Sequence, residues 1–195
     1  MLVPVKTSEA QLVIKGSRFL AQSFIISSQN EVRTIIKSQK TKYADATHVC
    51  HAFIAGKDAE VMGMSDDGEP GGTAGRPMLD VLKGRGVTNV LVTVTRWFGG
   101  TLLGTGGLVH AYGECVKAVL ETTVFEEFVE KTDFEIKADY QIYQAVKKIL
   151  SDYTLYDVEE DFGELVTVKG NIAIEKKEEF TSKIFDLTNG KTVIR

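Results

Sequence analysis

Glycine is crowded into one stretch of this chain. Of its 18 glycines, 13 lie in the 51 residues from Gly63 to Gly113, and the whole sequence has only 3 prolines. Glycine weakens helix and strand interiors, so such a run is tolerated where bare backbone is needed. That need arises at tight turns, where one backbone packs closely on another, or where a ligand approaches. A fold that accepts this sequence must therefore put the stretch at turns and at the ends of elements.

Two segments carry most of it: SDDGEPGGTAGRPML (Ser65–Leu79) and TRWFGGTLLGTGGLVHAYG (Thr95–Gly113). Each runs from a strand pattern, through glycines, into a helix pattern. A helix N-terminus offers unpaired N–H groups and a partial positive charge, and glycine lets an anion reach them. Arg76 and Arg96 can add two-pronged contacts to an oxyanion. One reading of Arg76, Arg96, Gly99, Gly100, Gly104, Gly106 and Gly107 is thus an anion cradle. The other is turn and packing geometry alone. The common nucleotide motifs fail by single positions. Thr105 stands where a P-loop beginning at Gly99 needs lysine, and Val109 where a dinucleotide fingerprint beginning at Gly104 needs its third glycine.

Asp66, Asp67 and Glu69 put three carboxylates within four residues. They can serve as Mg²⁺ ligands beside a phosphate. Alternatively they form a polar turn whose aspartates cap backbone N–H groups. His48, Cys50 and His51 alternate across a strand, with His48 and Cys50 on one face and His51 on the other, so they do not converge on one metal ion. His110 lies about one turn into the helix that follows the second segment, beside the candidate cradle.

The balance of 23 Lys+Arg against 27 Asp+Glu gives a formal charge of −4. It argues against a generally basic nucleic-acid binder, and double-stranded DNA is not an expected partner. The N-terminus lacks the basic-then-apolar pattern of a secretory signal, and no apolar run is long enough to cross a membrane as a helix. With only Cys50 and Cys115, the expectation is a cytoplasmic protein whose cysteines are small buried hydrophobes.

The charge is unevenly placed. Residues 1–131 carry 14 basic and 14 acidic side chains, whereas residues 132–195 carry 9 and 13. All three histidines, both cysteines and the tryptophan lie in the first part. Two domains are expected, 1–131 and 132–195, of α+β class. In the second, apolar periodicity gives the order β-α-β-β-α-β, a ferredoxin-like arrangement.

The run Arg96–Gly104 (RWFGGTLLG), the upstream Ser65–Leu79 segment and Thr47-His48-Val49-Cys50 together resemble the signature of the IMPACT/YigZ family. The acidic C-terminal part resembles the small second domain of bacterial members. The resemblance implies an N-terminal domain of the type shared by a small-subunit ribosomal protein and domain four of elongation factor G. It implies a C-terminal domain like domain five of that factor. Eukaryotic members are translation regulators, so the implied role is a translation-associated regulatory or binding protein. Its implied partner is the ribosome, RNA or a translation-related protein. The family supplies no catalytic residues and no cofactor to carry over; its motif positions here include Asp66, Asp67, Glu69, Arg76, Arg96 and Gly99–Gly107. The residues taken alone also allow a Mg²⁺-dependent enzyme acting on a phosphorylated small molecule or nucleotide. Glu159, Glu160, Asp161 and Glu164 cluster at one hairpin and would repel phosphate, so any RNA contact falls to the first domain.

Overall fold

In a computed structural model, residues 1–190 and 192–194 are described. The chain is a mixed α and β protein of two units, Met1–Phe128 and Val129–Arg195.

The first unit is built on a five-stranded sheet. Its strands are β2 (Ser8–Ile14), β3 (Ser17–Ile25), β4 (His48–Ala55), β5 (Val61–Ser65) and β6 (Val90–Trp97), in the antiparallel order β2-β3-β6-β4-β5. A short ribbon of β1 (Leu2–Pro4) and β7 (Phe125–Glu127) ties the start of the unit to its end. The helices are α1 (Gln29–Lys42), α2 (Gly75–Arg85) and α3 (Gly104–Thr122).

Strand alternation sends β6 residues to opposite faces, and each face has its own core. Val90, Val92 and Val94 join Phe19, Cys50, Ala52 and Ile54 beneath α2 and α3, where Met78, Leu82, Tyr112 and Val116 complete the larger core. Leu91 joins Phe53 and Ala55 beneath α1, against Val32 and Ile36. β6 is thus buried on both sides, which explains its unbroken Val/Leu/Thr run. α2 stops at Gly86, whose φ of 70° favours glycine.

The second unit contains β8 (Lys131–Ala138), α4 (Tyr140–Leu150), β9 (Leu155–Phe162), β10 (Val166–Ala173), α5 (Lys177–Thr188) and β11 (Val193–Ile194). Its sheet order is β11-β8-β10-β9, all antiparallel. Phe134, Ile136, Val166 and Val168 bury one face against Val146, Phe180 and Ile184 of the helices. On solvent-facing positions Glu135 pairs with Lys137 and Lys169. The burial pattern of β8 therefore alternates, unlike that of β6. Among the described residues, no helix is long and apolar enough to cross a membrane.

Candidate functional site

The acidic turn and the second glycine segment meet at one end of the first sheet. Asp67 has φ 45° and Gly68 φ 88°, so the backbone reverses within the turn. That reversal sends the three carboxylates in three directions. Asp66 turns back onto α2: Oδ1 accepts from the N–H groups of Ala74 (2.9 Å) and Gly75 (2.8 Å), and Oδ2 from that of Gly72 (2.9 Å). Burial acts to raise its pKa, but these three donors outweigh burial and hold the carboxyl below the ordinary aspartate range. Asp67 Oδ2 accepts from the Val49 N–H (2.7 Å), and its other oxygen pairs with Lys40 of α1.

Glu69 points into the core, 7% exposed, and meets Arg96, 5% exposed. Its Oε1 accepts from Arg96 Nη1 (2.6 Å) and from the Tyr112 hydroxyl (2.7 Å). Arg96 Nη2 donates to Ser17 Oγ (3.2 Å), while Arg96 Nε has no partner among the described residues. The guanidinium lies between Phe19 and Phe98, 5.4 and 5.7 Å from the ring centres. His48 Nδ1 donates to the Asp67 carbonyl (2.8 Å), and its Nε2 lies 3.8 Å from Glu69 Oε2. Cys50 contacts the Asp66 carbonyl and the Tyr112 hydroxyl. Burial pushes its thiol up to about 12, so it is not a thiolate nucleophile at neutral pH.

The loop after β6 is fastened at its base. Trp97 Nε1 donates to Asp45 (2.8 Å), and its ring takes Tyr43 edge-on and Arg18 against its face. The Phe98 N–H donates to Thr47 Oγ1 (3.1 Å), and the Gly99 N–H to Ser17 Oγ (3.2 Å). Gly99 lies on Gly16: a Cβ there would come within 2.0 Å of the Gly16 carbonyl carbon. Beyond this anchor the loop rises into solvent, with Phe98 46% and Leu102 83% exposed. Below it opens a cleft of about 410 Å³, walled by Pro70, Phe98, Leu102, Leu103 and Leu108, with His48, Glu69 and Arg96 among its lining.

The expected site residues therefore divide. His48, Glu69, Arg96 and Gly104 line the cleft, with the Phe98–Leu102 loop and its Gly99 and Gly100 above it. Gly104 (φ 73°) and Gly100 (φ 84°) provide left-handed turns. Gly106 and Gly107 lie in the first turn of α3, where a Cβ at Gly106 would meet nothing within 4 Å. Asp66 and Asp67 brace the turn, and neither lines the cleft. Arg76 is exposed on α2 and pairs with Asp80 one turn on. His110 is exposed on α3, one turn before Glu114. Among the described residues no three His, Cys, Asp or Glu side chains are grouped to hold a metal ion. Ser17 and Asp45, outside the motifs, and Thr47 and Tyr112, inside them, hold the site together through hydrogen bonds that the motifs do not reveal. The paired glycines at 16 and 99 are the one sequence trace of that contact.

The description of the Impact N-terminal domain matches residues 15–120, more than half of the chain. The chain belongs to the IMPACT family. A domain of unknown function, DUF1949, matches residues 136–191. IMPACT family member YigZ of Escherichia coli is 32% identical over 97% of this chain and 94% of its own length. An IMPACT family member of Haemophilus influenzae is 35% identical over 100% and 95%. A solved crystal structure of a hypothetical protein, 32% identical, aligns with a TM-score of 0.71 over 99% of this chain and 95% of its own.

Proposed function

We propose that this IMPACT family chain is a translation-associated regulatory protein of the cytoplasm. In this reading it docks on the ribosome or on a translation-related protein through the Phe98–Leu102 loop and the cleft beneath it. The observation that carries the reading is the contrast inside the site. The charged groups that would hold a phosphate are paired with one another, while apolar side chains are held out in solvent. Glu69 occupies Arg96, and Asp66 occupies the N–H groups at the start of α2. Phe98 and Leu102 have no core to enter and stand on a fastened base, a pre-organised apolar contact of the kind protein interfaces use.

In the same reading the first unit is of the ribosomal-protein and elongation-factor-G domain-four type. The second is ferredoxin-like, akin to domain five of that factor; its β-α-β-β-α-β order and its sheet order support this. A Mg²⁺-dependent reaction has less support, because the three carboxylates it would use face three different partners.

The test is co-sedimentation of the full chain with purified ribosomes at low salt. Wild type should pellet, and Leu102→Asp should stay in the supernatant with an unchanged unfolding midpoint. Absence of wild-type association at low salt overturns docking on the ribosome, and equal pelleting of the variant overturns docking through the Phe98–Leu102 loop.

A further inference from the structure

The opposite face of the first sheet carries a second opening, away from the site described above. It lies between α1 and the outer strand β5 and has a volume of about 670 Å³. Val32 and Ile36 of α1, Phe53 of β4, and Gly63 and Met64 of β5 form its apolar wall. Gly63 faces the Phe53 ring so closely that a Cβ would lie 2.4 Å from it. Glycine at 63 is what lets the Phe53 ring lie against β5 as part of the groove wall.

Two features of the rim are unusual for a solvated surface. The first is charge. Arg33, Lys37 and Lys40 line the groove together with His51, and among the described residues no Asp or Glu lines it. Lys40 is taken by Asp67, but Arg33 and Lys37 are exposed and pair with no carboxylate among the described residues. The second is the strand edge. β5 reads VMGMS, with no charge and no proline, and Val61, Met62 and Met64 are 37, 42 and 47% exposed. Edge strands are ordinarily blunted by charges, bulges or proline. The free edge of the second sheet follows that rule: β9 carries Asp157, Glu159, Glu160 and Asp161, and its register with β10 shifts between Lys169 and Asn171. β5 does not.

We propose that the groove binds an extended acidic segment of a partner protein, which adds a strand against β5 and sets its carboxylates on Arg33 and Lys37. Backbone pairing along an open edge supplies affinity, and alternate side chains read the groove wall. The apolar wall suits Val- or Leu-like side chains, and the unpaired cations select acidic neighbours. A nucleic acid fits less well. Among the lining residues there is no Trp or Tyr, and the one Phe, Phe53, is buried, so the groove offers little surface on which bases can stack.

The experiment uses the full chain and a fluorescent ten-residue peptide with Glu and Val in turn at every second position and Thr between them, so that one face of the added strand presents both to the groove. Controls are the same peptide with Gln for Glu and a ten-nucleotide single-stranded RNA. The acidic peptide should bind, weaken as salt rises, and protect the Val61–Ser65 amides from hydrogen exchange. R33E/K37E, at two exposed positions, should keep its unfolding midpoint and lose at least about tenfold in affinity. Failure of the acidic peptide to bind overturns the proposal. So does binding indifferent to R33E/K37E, tighter binding of the RNA, or binding without protection of Val61–Ser65.

Discussion

The two faces of the first sheet solve the burial of polar groups in opposite ways. Under α2 and α3, Glu69, Arg96, Tyr112 and Ser17 satisfy one another in one network, and among the described residues of that network only Arg96 Nε is left over. Under α1, Thr93 Oγ1, Thr95 Oγ1, His51 Nδ1 and Gln39 Oε1 are buried without partners among the described residues. A satisfied network fixes one arrangement, whereas orphaned groups carry a desolvation cost with nothing gained. The first face is therefore the foundation on which the Phe98–Leu102 loop is held in place. The second is the face where an unpartnered polar group can be replaced by an apolar one of the same shape without loss, and it is also the one that borders the open groove.

The comparison can be broken by mutation. The largest effect is expected from Glu69→Ala, which leaves Arg96 buried without a counter-charge. Its denaturant midpoint should report a loss of about 3–5 kcal/mol. Asp66→Ala comes next, because it removes the acceptor of three N–H groups at the start of α2, and a loss of about 1–2 kcal/mol is expected. That loss should depend on pH. The folded carboxyl titrates below its unfolded value, so its contribution is complete above about pH 4 and disappears as pH falls through the folded pKa. Stability curves of wild type and Asp66→Ala should accordingly converge in acid. On the other face, Thr95→Val replaces an unpartnered hydroxyl by a methyl of the same shape, and the midpoint should hold or rise by up to about 1 kcal/mol. Leu102→Asp should move stability least, by less than about 0.5 kcal/mol, because the side chain is in solvent.

Much of this fold is legible in the sequence. β6 is marked by its Val- and Leu-rich run, α2 by the apolar spacing of Met78, Leu79 and Leu82 with Pro77 in its first turn, and α5 by the Asn189-Gly190 stop, where Asn189 takes φ 49°. The β1–β7 ribbon is not, because three-residue strands are too short for a period to show. The site is legible only in part. Closeness along the chain puts Asp66, Asp67 and Glu69 together, and the backbone reversal at Asp67 and Gly68 takes them apart. Closeness in space works the other way. Glu69 meets Arg96 from 27 positions away, and Ser17 reaches it from 79, separations that no local pattern encodes. The glycine-rich stretch itself divides between the packing contact of Gly99, the left-handed turns at Gly100 and Gly104, and the open surface at Gly106.

The most direct test of the foundation is a double-mutant cycle of Glu69→Gln and Arg96→Met, read by chemical denaturation. If the pair is the post beneath the docking loop, each single variant is strongly destabilised. The double variant then recovers a coupling energy of at least about 2 kcal/mol, since neither charge is left alone in the core. Additive losses, with coupling below about 0.5 kcal/mol, would contradict it.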